Sequence, residues 1–343
     1  MNKKILNLNS FINSAMELTE LARAIQNLPN IKEKFALNPL LDIVREKGYS
    51  NPHVFAAYGE DSAALLPAQG KDQLVLFSID QISSDFLKTR PYHAGYSAVF
   101  VAADDIYACG GQPLGCAISL GYEEESQGTQ VMEGLIKATE VLDIPLVRGH
   151  TSAQSFDFLS ISMVGQTTTE AYISAGNAQI GDELGLILDP EGQPGEKNKY
   201  YWNCIFQEKE VLQKKRQIMS RLAKKQYVHS AKDISNSGLF GTLLQMMELS
   251  KVGCNVDLNL VNLPPALLRE NYDLIDFFQM YLTSSFLITY PPQFRSKIRE
   301  QAELCGLAFN HIGNIMKTKK INICVDKEQV EVFDFSNGSL IIP

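Results

Sequence analysis

Hydrophobic positions along the 343-residue chain follow a helical repeat in some segments and form short, strand-length runs in others. Apolar residues recur every three or four positions from Phe11 to Leu28, which predicts helices over residues 10–47 with a break near Pro29. From residue 54 to 166 strand-length runs alternate with helical segments, the clearest being Tyr92–Ala108. The first half of the chain is therefore predicted to be a sheet covered by helices.

A second mixed unit begins near Gly176. Its apolar run at Leu184–Leu188 predicts a strand, and the patterns at Gly238–Ser250 and Gln293–Cys305 predict helices. Mixed strands and helices in both halves indicate α/β or α+β domains, and the length is sufficient for two of them.

Composition and net charge limit the classes of protein to which the chain can belong. The chain is 45% hydrophobic and 20% charged, as in ordinary globular proteins, and its net charge of −8 argues against a nucleic-acid partner. Lys209–Lys225 is basic, but its apolar spacing predicts a solvated helix face rather than a binding patch. The six cysteines form no CxxC pair, and no signal-peptide or membrane-spanning apolar segment is found. We expect a cytoplasmic protein without a membrane partner.

Short acidic segments occur where apolar runs meet turns. They contain Asp61, Asp80 and Asp105, and a fourth segment further along the chain contains Asp233. Carboxylates beside buried strands are costly to hold together unless a cation neutralises them, and hard oxygen ligands suit Mg²⁺. One such aspartate alone more often caps a helix or a turn. The joint pattern favours a metal–phosphate site.

Four sequence elements resemble motifs of a known superfamily. They are Gly59–Ala64 (GEDSAA), Gly95–Pro113 (GYSAVFVAADDIYACGGQP), Arg148–Thr151 (RGHT) and Asp233–Leu239 (DISNSGL). In this order they resemble the superfamily of aminoimidazole ribonucleotide (AIR) synthase, selenophosphate synthetase, thiamine-monophosphate kinase and the hydrogenase-maturation dehydratase, over roughly residues 54–330. Within it, the chain resembles an uncharacterised AIR-synthase-related branch in its helical N-terminal extension and in Lys232–Leu258, with further support from Asp276–Thr289.

The resemblance implies an α+β, two-domain PurM-like architecture. It divides the chain into a helical extension (1–53), an ATP- and Mg²⁺-binding N-terminal domain (54–170) and a C-terminal domain of α/β sandwich type (176–343). It also implies a homodimer in which the N-terminal sheets of two copies pair into a barrel.

The same resemblance implies ATP and Mg²⁺ as cofactors and places them by position. Asp61, Asp80, Asp105 and Asp233 would be metal ligands. Gly149, His150 and Thr151 would line the phosphate or nucleotide region, and Ser235 and Asn236 would contribute to it from the C-terminal domain. It carries over no residue as the catalytic group.

Two residues depart from the motifs at the acidic segments. Glu60 replaces the usual first Asp, and whether it binds metal is left open. Asp104 stands where Asn or Ser is common. Either it strengthens the attraction of a metal beside Asp105 or it faces solvent, and we favour solvent because neighbours on a helix point about 100° apart.

Both ends of the chain bear on the type of chemistry. Phe11–Tyr49 contains neither a cysteine nor the Gly-rich loop of selenophosphate synthetases, which argues against selenium chemistry. The last residues carry no reactive cysteine, which argues against the hydrogenase-maturation activity.

The leading functional hypothesis is an ATP- and Mg²⁺-dependent enzyme that activates an oxygen of an unknown small substrate by phosphoryl transfer. Both a ligase or cyclase of the AIR-synthase type and a small-molecule kinase fit. The alternative is a non-catalytic, nucleotide-binding regulatory dimer. The helical extension is expected to pack on the body of the protein rather than to dock a neighbouring enzyme.

Overall fold

The structure, a computed structural model, describes residues 18–49, 51–68, 70, 72–195 and 200–342. The part of the N-terminal helical prediction that falls on residues 10–17 lies outside these ranges. Within the described residues, no helix combines the length and apolar character that crossing a bilayer requires.

Twelve α-helices are found in the described part of the chain. They are α1 (Leu18–Gln26), α2 (Pro29–Ala36), α3 (Asn38–Lys47), α4 (Ser84–Thr89), α5 (Pro91–Ala108), α6 (Glu125–Leu142), α7 (Lys209–Lys215), α8 (Ile218–Lys224), α9 (Gly238–Ser250), α10 (Pro265–Arg269), α11 (Leu274–Gln279) and α12 (Arg295–Cys305). Short 3₁₀ turns occur at Leu258–Leu260 and Pro292–Phe294.

Fifteen strands accompany them. They are β1 (Val54–Ala56), β2 (Ala63–Leu65), β3 (Gln73–Ile82), β4 (Gln112–Tyr122), β5 (Leu146–Ala153), β6 (Phe158–Thr168), β7 (Glu183–Leu188), β8 (Gln193–Pro194), β9 (Tyr201–Asn203), β10 (Ser230–Ile234), β11 (Gly253–Asp257), β12 (Tyr281–Tyr290), β13 (Ala308–Met316), β14 (Lys320–Val325) and β15 (Glu328–Asp334).

The first sheet has the strand order β1-β2-β3-β6-β4-β5, and only the β4–β5 pair is parallel. Alternate residues of β3 are buried and exposed, so one face of the sheet is covered and the other is open. α5 packs on the covered face and against α6. α5 is buried over most of its length because it is enclosed by the sheet, by α6 and by the second half of the chain.

The second sheet has nine strands in the order β15-β14-β11-β13-β7-β12-β9-β8, with β10 paired to β12. β10 is buried at all five positions because α9 and α5 both pack against it. Asp233 therefore comes from a strand that lies between the two halves of the molecule.

The N-terminal helices pack on the second half of the chain. α1 contacts β15, and α2 contacts α9. Leu18, Leu21 and Ile25 are buried in the same core as the second sheet, as their spacing of three and four residues predicts for one face of a helical segment. The described part of the extension thus packs on the body of the protein.

The prediction of one solvated basic helix over Lys209–Lys225 is wrong in part. The chain forms two short helices there, and the break between them lies at Arg216 and Gln217. Lys215 and Arg216 are each only 5% exposed and are paired with acidic side chains. The apolar spacing identified the buried face but could not show that two cations share it.

Candidate active site

Three of the predicted ligands converge between the two halves of the molecule. Asp61 lies in the turn between β1 and β2, Asp105 lies near the C-terminal end of α5, and Asp233 lies in β10. Each offers one carboxylate oxygen, and these three oxygens all lie within 4.8 Å of one another. Such close carboxylates repel one another, and the arrangement is one that a divalent cation would stabilise.

Asp80 borders this group. It lies near the end of β3 on the face covered by α5, beside Asp105, and burial raises its pKa. One of its carboxylate oxygens, Oδ2, is buried and has no hydrogen-bond partner among the described residues. An unpartnered buried carboxylate oxygen is costly, so this atom is available to a ligand. We refer to Asp61, Asp80, Asp105 and Asp233 as the acidic cluster.

Burial and mutual repulsion raise the pKa values of three aspartates of the acidic cluster, Asp80, Asp105 and Asp233. Burial, followed by the charges of Asp80, Asp233 and Asp61, raises the pKa of Asp105 well above its usual range. Burial, and then Asp61, likewise raise the pKa of Asp233 well above its usual value. Hard oxygen donors, a free carboxylate oxygen and charge repulsion at one point together fit Mg²⁺.

Lys232 is a site residue that the sequence reasoning missed. Its side chain is buried beside the acidic cluster, where its ammonium forms an ion pair with Asp61. Nearby carboxylates, Asp61 first, outweigh burial and raise the pKa of Lys232. The backbone N–H of Asp233 donates to Asp61 Oδ2 at 3.1 Å. Lys232 lies in a strand whose five residues are all buried. A buried lysine needs an acidic partner, so its position in this strand is the signal that points to a role in the site.

Glu60 has a structural role in the contacts that the structure shows. Its carboxylate accepts hydrogen bonds from Ser174 Oγ at 2.5 Å and from the backbone N–H of Ala175 at 2.6 Å. These residues belong to the connection between the two sheets. Both carboxylate oxygens of Glu60 are thus engaged outside the acidic cluster, while the adjacent Asp61 is directed into it.

The expectation that Asp104 faces solvent is wrong. Asp104 is 2% exposed, and Arg216 Nη1 donates to its Oδ1 at 2.7 Å. The backbone N–H of Ser284 donates to the other carboxylate oxygen at 2.9 Å. The guanidinium also lies over the ring of Phe100, 4.5 Å from its centroid. Asp104 and Asp105 do point in different directions on the helix. Asp104 is nevertheless buried, because β12 and the break between α7 and α8 lie against it.

Gly149, His150 and Thr151 lie on β5, at the edge of the first sheet and away from the acidic cluster. Residues Asp80, Ile161, Ile118 and Gly149 form one row of register partners across four strands. Three strand spacings separate Asp80 from Gly149 by about 14 Å. Strand alternation places Gly149 and Thr151 on the covered face and His150 on the open face.

A cavity of about 660 Å³ lies on the covered face between α6 and the β4–β5 edge. Thr151 lines it, together with apolar side chains that include Leu120, Met132 and Ile136. Of the predicted nucleotide residues of β5, Thr151 therefore borders a recess, which lies away from the carboxylates.

Ser235 and Asn236 lie in the loop between β10 and α9. The backbone N–H of Gly238 donates to Ser235 O at 2.9 Å, and Gly238 has a φ of +63°, which closes the turn. The loop begins directly after Asp233 and Ile234. Ser235 and Asn236 are thus close in sequence to the acidic cluster and precede the first turn of α9.

Two other reactive residue types have structural roles. Cys109 is 2% exposed, and burial raises its pKa well above the usual value, so its thiol is a poor nucleophile. His229 Nδ1 lies 2.9 Å from each carboxylate oxygen of Asp182, on the far side of the connection between the sheets.

Comparison with known families agrees with this geometry. Residues 59–167 match the family described as AIR synthase related protein, N-terminal domain, and residues 194–326 match its C-terminal domain. The chain belongs to the AIR synthase-related family. The two matches cover most of the chain, and they confirm the resemblance inferred from the four motifs.

Two relatives of this family are uncharacterised proteins. The protein sll0787 of Synechocystis is 28% identical over 82% of this chain and 85% of its own length. The protein MJ0640 of Methanocaldococcus jannaschii is 26% identical over 93% of this chain and 98% of its own length. These matches support the assignment to an uncharacterised AIR-synthase-related branch.

A solved structure of the family shares the fold. Thermotoga maritima PurL complexed with ATP superimposes with a TM-score of 0.68 at 14% identity, covering 92% of this chain and 53% of PurL. The chain thus spans about half the length of PurL. The likeness confirms the predicted two-domain, mixed α/β PurM-like fold.

Proposed function

We propose that this protein binds ATP with Mg²⁺ and activates an oxygen of a small substrate by phosphoryl transfer. The observation that carries the proposal is the convergence of Asp61, Asp105 and Asp233, from both halves of the chain, within 4.8 Å. The binding of ATP by PurL, which has the same fold, supports the choice of nucleotide. Ligase or cyclase chemistry and kinase chemistry remain equally compatible with the site.

The acidic cluster would hold the metal. Asp61, Asp105 and Asp233 would supply carboxylate oxygens directly, and Asp80 would supply its unpartnered Oδ2. Bound Mg²⁺ would offset the charge of the phosphates during transfer. Lys232 orients Asp61 through their ion pair, and the Asp104–Arg216 pair fixes the end of α5 that carries Asp105.

The β5 residues would bind a different part of the nucleotide. Because Gly149 lies about 14 Å from Asp80 across the sheet, the β5 segment is too distant to share the metal-bound phosphates. We assign Gly149 and Thr151 to the base or ribose end, where the adjacent cavity has apolar walls. His150 would act from the open face. Ser235 and Asn236, next to Asp233, would lie nearer the phosphates.

The open face of the first sheet supports a homodimer. Val75, Phe77 and Ile79 of β3 are exposed on this face, at 36%, 41% and 65%, and Val164 of β6 lies beside them at 39%. A contiguous apolar sheet face is unfavourable in water and marks an interaction surface. Pairing of this face between two copies would give the barrel that the family resemblance implies.

The rival hypothesis of a non-catalytic regulatory dimer rests on Glu60, on Asp104 and on the absence of a reactive Gly-rich loop from Phe11–Tyr49. Glu60 holds the connection between the sheets, and Asp104 is paired with Arg216, so neither residue indicates a lost metal ligand. The contacts of these two residues favour the enzyme over the regulator.

ADP release from ATP tests the proposal. Purified protein is screened with a panel of small alcohols, amides and carboxylates, in the presence and absence of Mg²⁺. We expect Mg²⁺-dependent release with at least one class, and a loss of more than about 100-fold in Asp105→Asn, because a metal ligand is removed. Asp85→Asn, an exposed aspartate in the first turn of α4, is the matched control and should keep full activity.

Two results would overturn the catalytic assignment. Release that survives Asp105→Asn would place the activity elsewhere. Tight nucleotide binding with no release for any member of the panel would favour the regulatory dimer.

A further inference from the structure

Helix α2 is seated on the loop and helix that follow Asp233. Asn30 Nδ2 donates to Gln279 O at 3.4 Å, and Ile31 is fully buried. A Cβ at Gly238 would lie 2.9 Å from Asn30 Nδ2, and a Cβ at Gly241 would lie 3.5 Å from Ile31 Cγ1. Asn30 and Ile31 of α2 thus lie against the first turn of α9.

Lys34 lies one helical turn after Asn30 and Ile31, and therefore on the same face of α2. Its half-buried ammonium interacts electrostatically with Asp233, Asp80 and Asp61 and with Lys232. Burial and the charge of Lys232 lower the pKa of Lys34, while the three carboxylates oppose that change. An N-terminal helix therefore brings a cation to the acidic cluster.

The two lysines of the site differ in their partners. Lys232 is committed to Asp61 by a direct ion pair. Lys34 makes no hydrogen bond or ion pair with any described residue, although it is close enough to three carboxylates to sense their charge. A half-buried cation that is drawn toward a site but bonded to nothing in it is free to bind an anionic ligand there.

Mg²⁺ bound to the acidic cluster would occupy the carboxylates and bring an anionic phosphate chain to them. That change removes the carboxylates as partners for Lys34 and offers phosphate oxygens in their place. We propose that Lys34 contacts the terminal phosphate of bound ATP, so that helix α2 completes the nucleotide site. This inference rests on the proposed function, because it requires Mg²⁺ and ATP at the acidic cluster.

A simpler role for Lys34 is that of a counter-ion for the carboxylates, with no contact to nucleotide. The two roles predict different effects of Lys34→Gln. Loss of a mere counter-ion would strengthen the binding of Mg²⁺ alone and change ATP and ADP affinity by the same factor. Loss of a terminal-phosphate contact would weaken ATP selectively, because ADP lacks that phosphate.

Calorimetric titrations with ADP and with the non-hydrolysable β,γ-methylene analogue of ATP, both with Mg²⁺, test the inference on the full chain. The proteins are the wild type, Lys34→Gln, Lys34→Arg and the control Lys32→Gln, an exposed lysine of the same helix. We expect Lys34→Gln to lose about tenfold to hundredfold in affinity for the analogue and little for ADP. Lys34→Arg should retain most of the affinity, and Lys32→Gln should match the wild type.

For each protein, the affinity for the ATP analogue is divided by the affinity for ADP. A loss of folded protein affects both titrations equally and leaves this ratio unchanged. An unchanged ratio in Lys34→Gln, with nucleotide still bound, would overturn the role of Lys34 while leaving the proposed function intact. Failure of the wild type to bind either nucleotide would overturn both.

Discussion

Two clusters of buried charge in this molecule differ in how completely they are paired. In the first, which we call the Lys215 cluster, Lys215 Nζ lies 2.9 and 3.0 Å from the two carboxylate oxygens of Asp189. It also donates to Glu191 Oε2 at 3.1 Å and to Gln207 Oε1 at 2.8 Å. Gln207 Nε2 and the backbone N–H of Glu191 complete the partners of Asp189.

The acidic cluster is the second, and it lacks that balance. Four carboxylates have one directly bonded cation, Lys232, and Asp80 Oδ2 has no hydrogen-bond partner among the described residues. Buried charge that is fully bonded holds a fold together, whereas buried charge left in excess needs a ligand. The comparison supports the proposal that the acidic cluster is the site and that the Lys215 cluster is a structural device.

Breaking the Lys215 cluster should have the largest effect on stability. Lys215→Met keeps the length of the side chain but leaves Asp189, whose side chain is 2% exposed, without its cation. We expect the free energy of unfolding to fall by about 3 kcal/mol or more, measured by urea denaturation, while Mg²⁺–ATP affinity of the remaining folded protein is unchanged. Lys214→Met, at an exposed neighbour, is the control. Equal stability of the two variants would remove the structural role.

Removing one charge from the acidic cluster should have a smaller effect of the opposite sign. The pKa of Asp105 is raised in the folded state, so protonation favours folding and this stabilisation is lost as pH rises from the unfolded value through the folded one. Asparagine mimics the protonated form. Asp105→Asn should therefore raise the melting temperature of the metal-free protein at neutral pH by about 3 °C. A lower melting temperature would show that Asp105 is stably paired.

Asp104, the neighbour of Asp105, provides a matched comparison for the melting temperature. Burial raises the pKa of Asp104 as well, but this carboxylate is bonded to Arg216, so Asp104→Asn would leave a buried guanidinium without its partner and should lower the melting temperature. Adjacent aspartates on one helix are thus expected to shift stability in opposite directions. A shift of the same sign in both variants would contradict the distinction between structural and site carboxylates.

A further prediction concerns the pH dependence of Mg²⁺ binding. Because the pKa values of Asp105 and Asp233 are raised, Mg²⁺ must displace protons that an exposed carboxylate would already have lost. Mg²⁺ affinity should therefore fall as pH is lowered from 8 to 5, by up to about tenfold per pH unit for each proton displaced. Titrations in buffers of different ionisation enthalpy would count the protons released. Affinity that stays constant over this range would mean that the carboxylates are already ionised.

Local sequence patterns predict single helices correctly. The helix predicted at Gly238–Ser250 has these bounds in the structure, and the helix predicted from Tyr92 to Ala108 begins one residue earlier, at Pro91. Repeats of three and four apolar residues report a buried helix face regardless of what covers it. The motifs also identified the family, and the structure brings Asp61, Asp105 and Asp233 together.

Partners supplied by distant segments could not be predicted in this way. Arg216 lies 112 residues from Asp104, and Lys232 lies 171 residues from Asp61. Lys34 belongs to a helix outside the motifs. Periodicity shows that a position is buried but does not show which charge meets it, so Asp104 was assigned to solvent and Lys232 was overlooked.

Calorimetric titration of ATP into wild-type protein and Asp105→Asn, each with and without Mg²⁺, tests the central claim most directly. The account predicts that ATP binds the wild type tightly only when Mg²⁺ is present, and that Asp105→Asn loses this dependence because a ligand of the acidic cluster is gone. Failure of ATP to bind the wild type at millimolar concentration, or unchanged Mg²⁺–ATP affinity in Asp105→Asn, would contradict it.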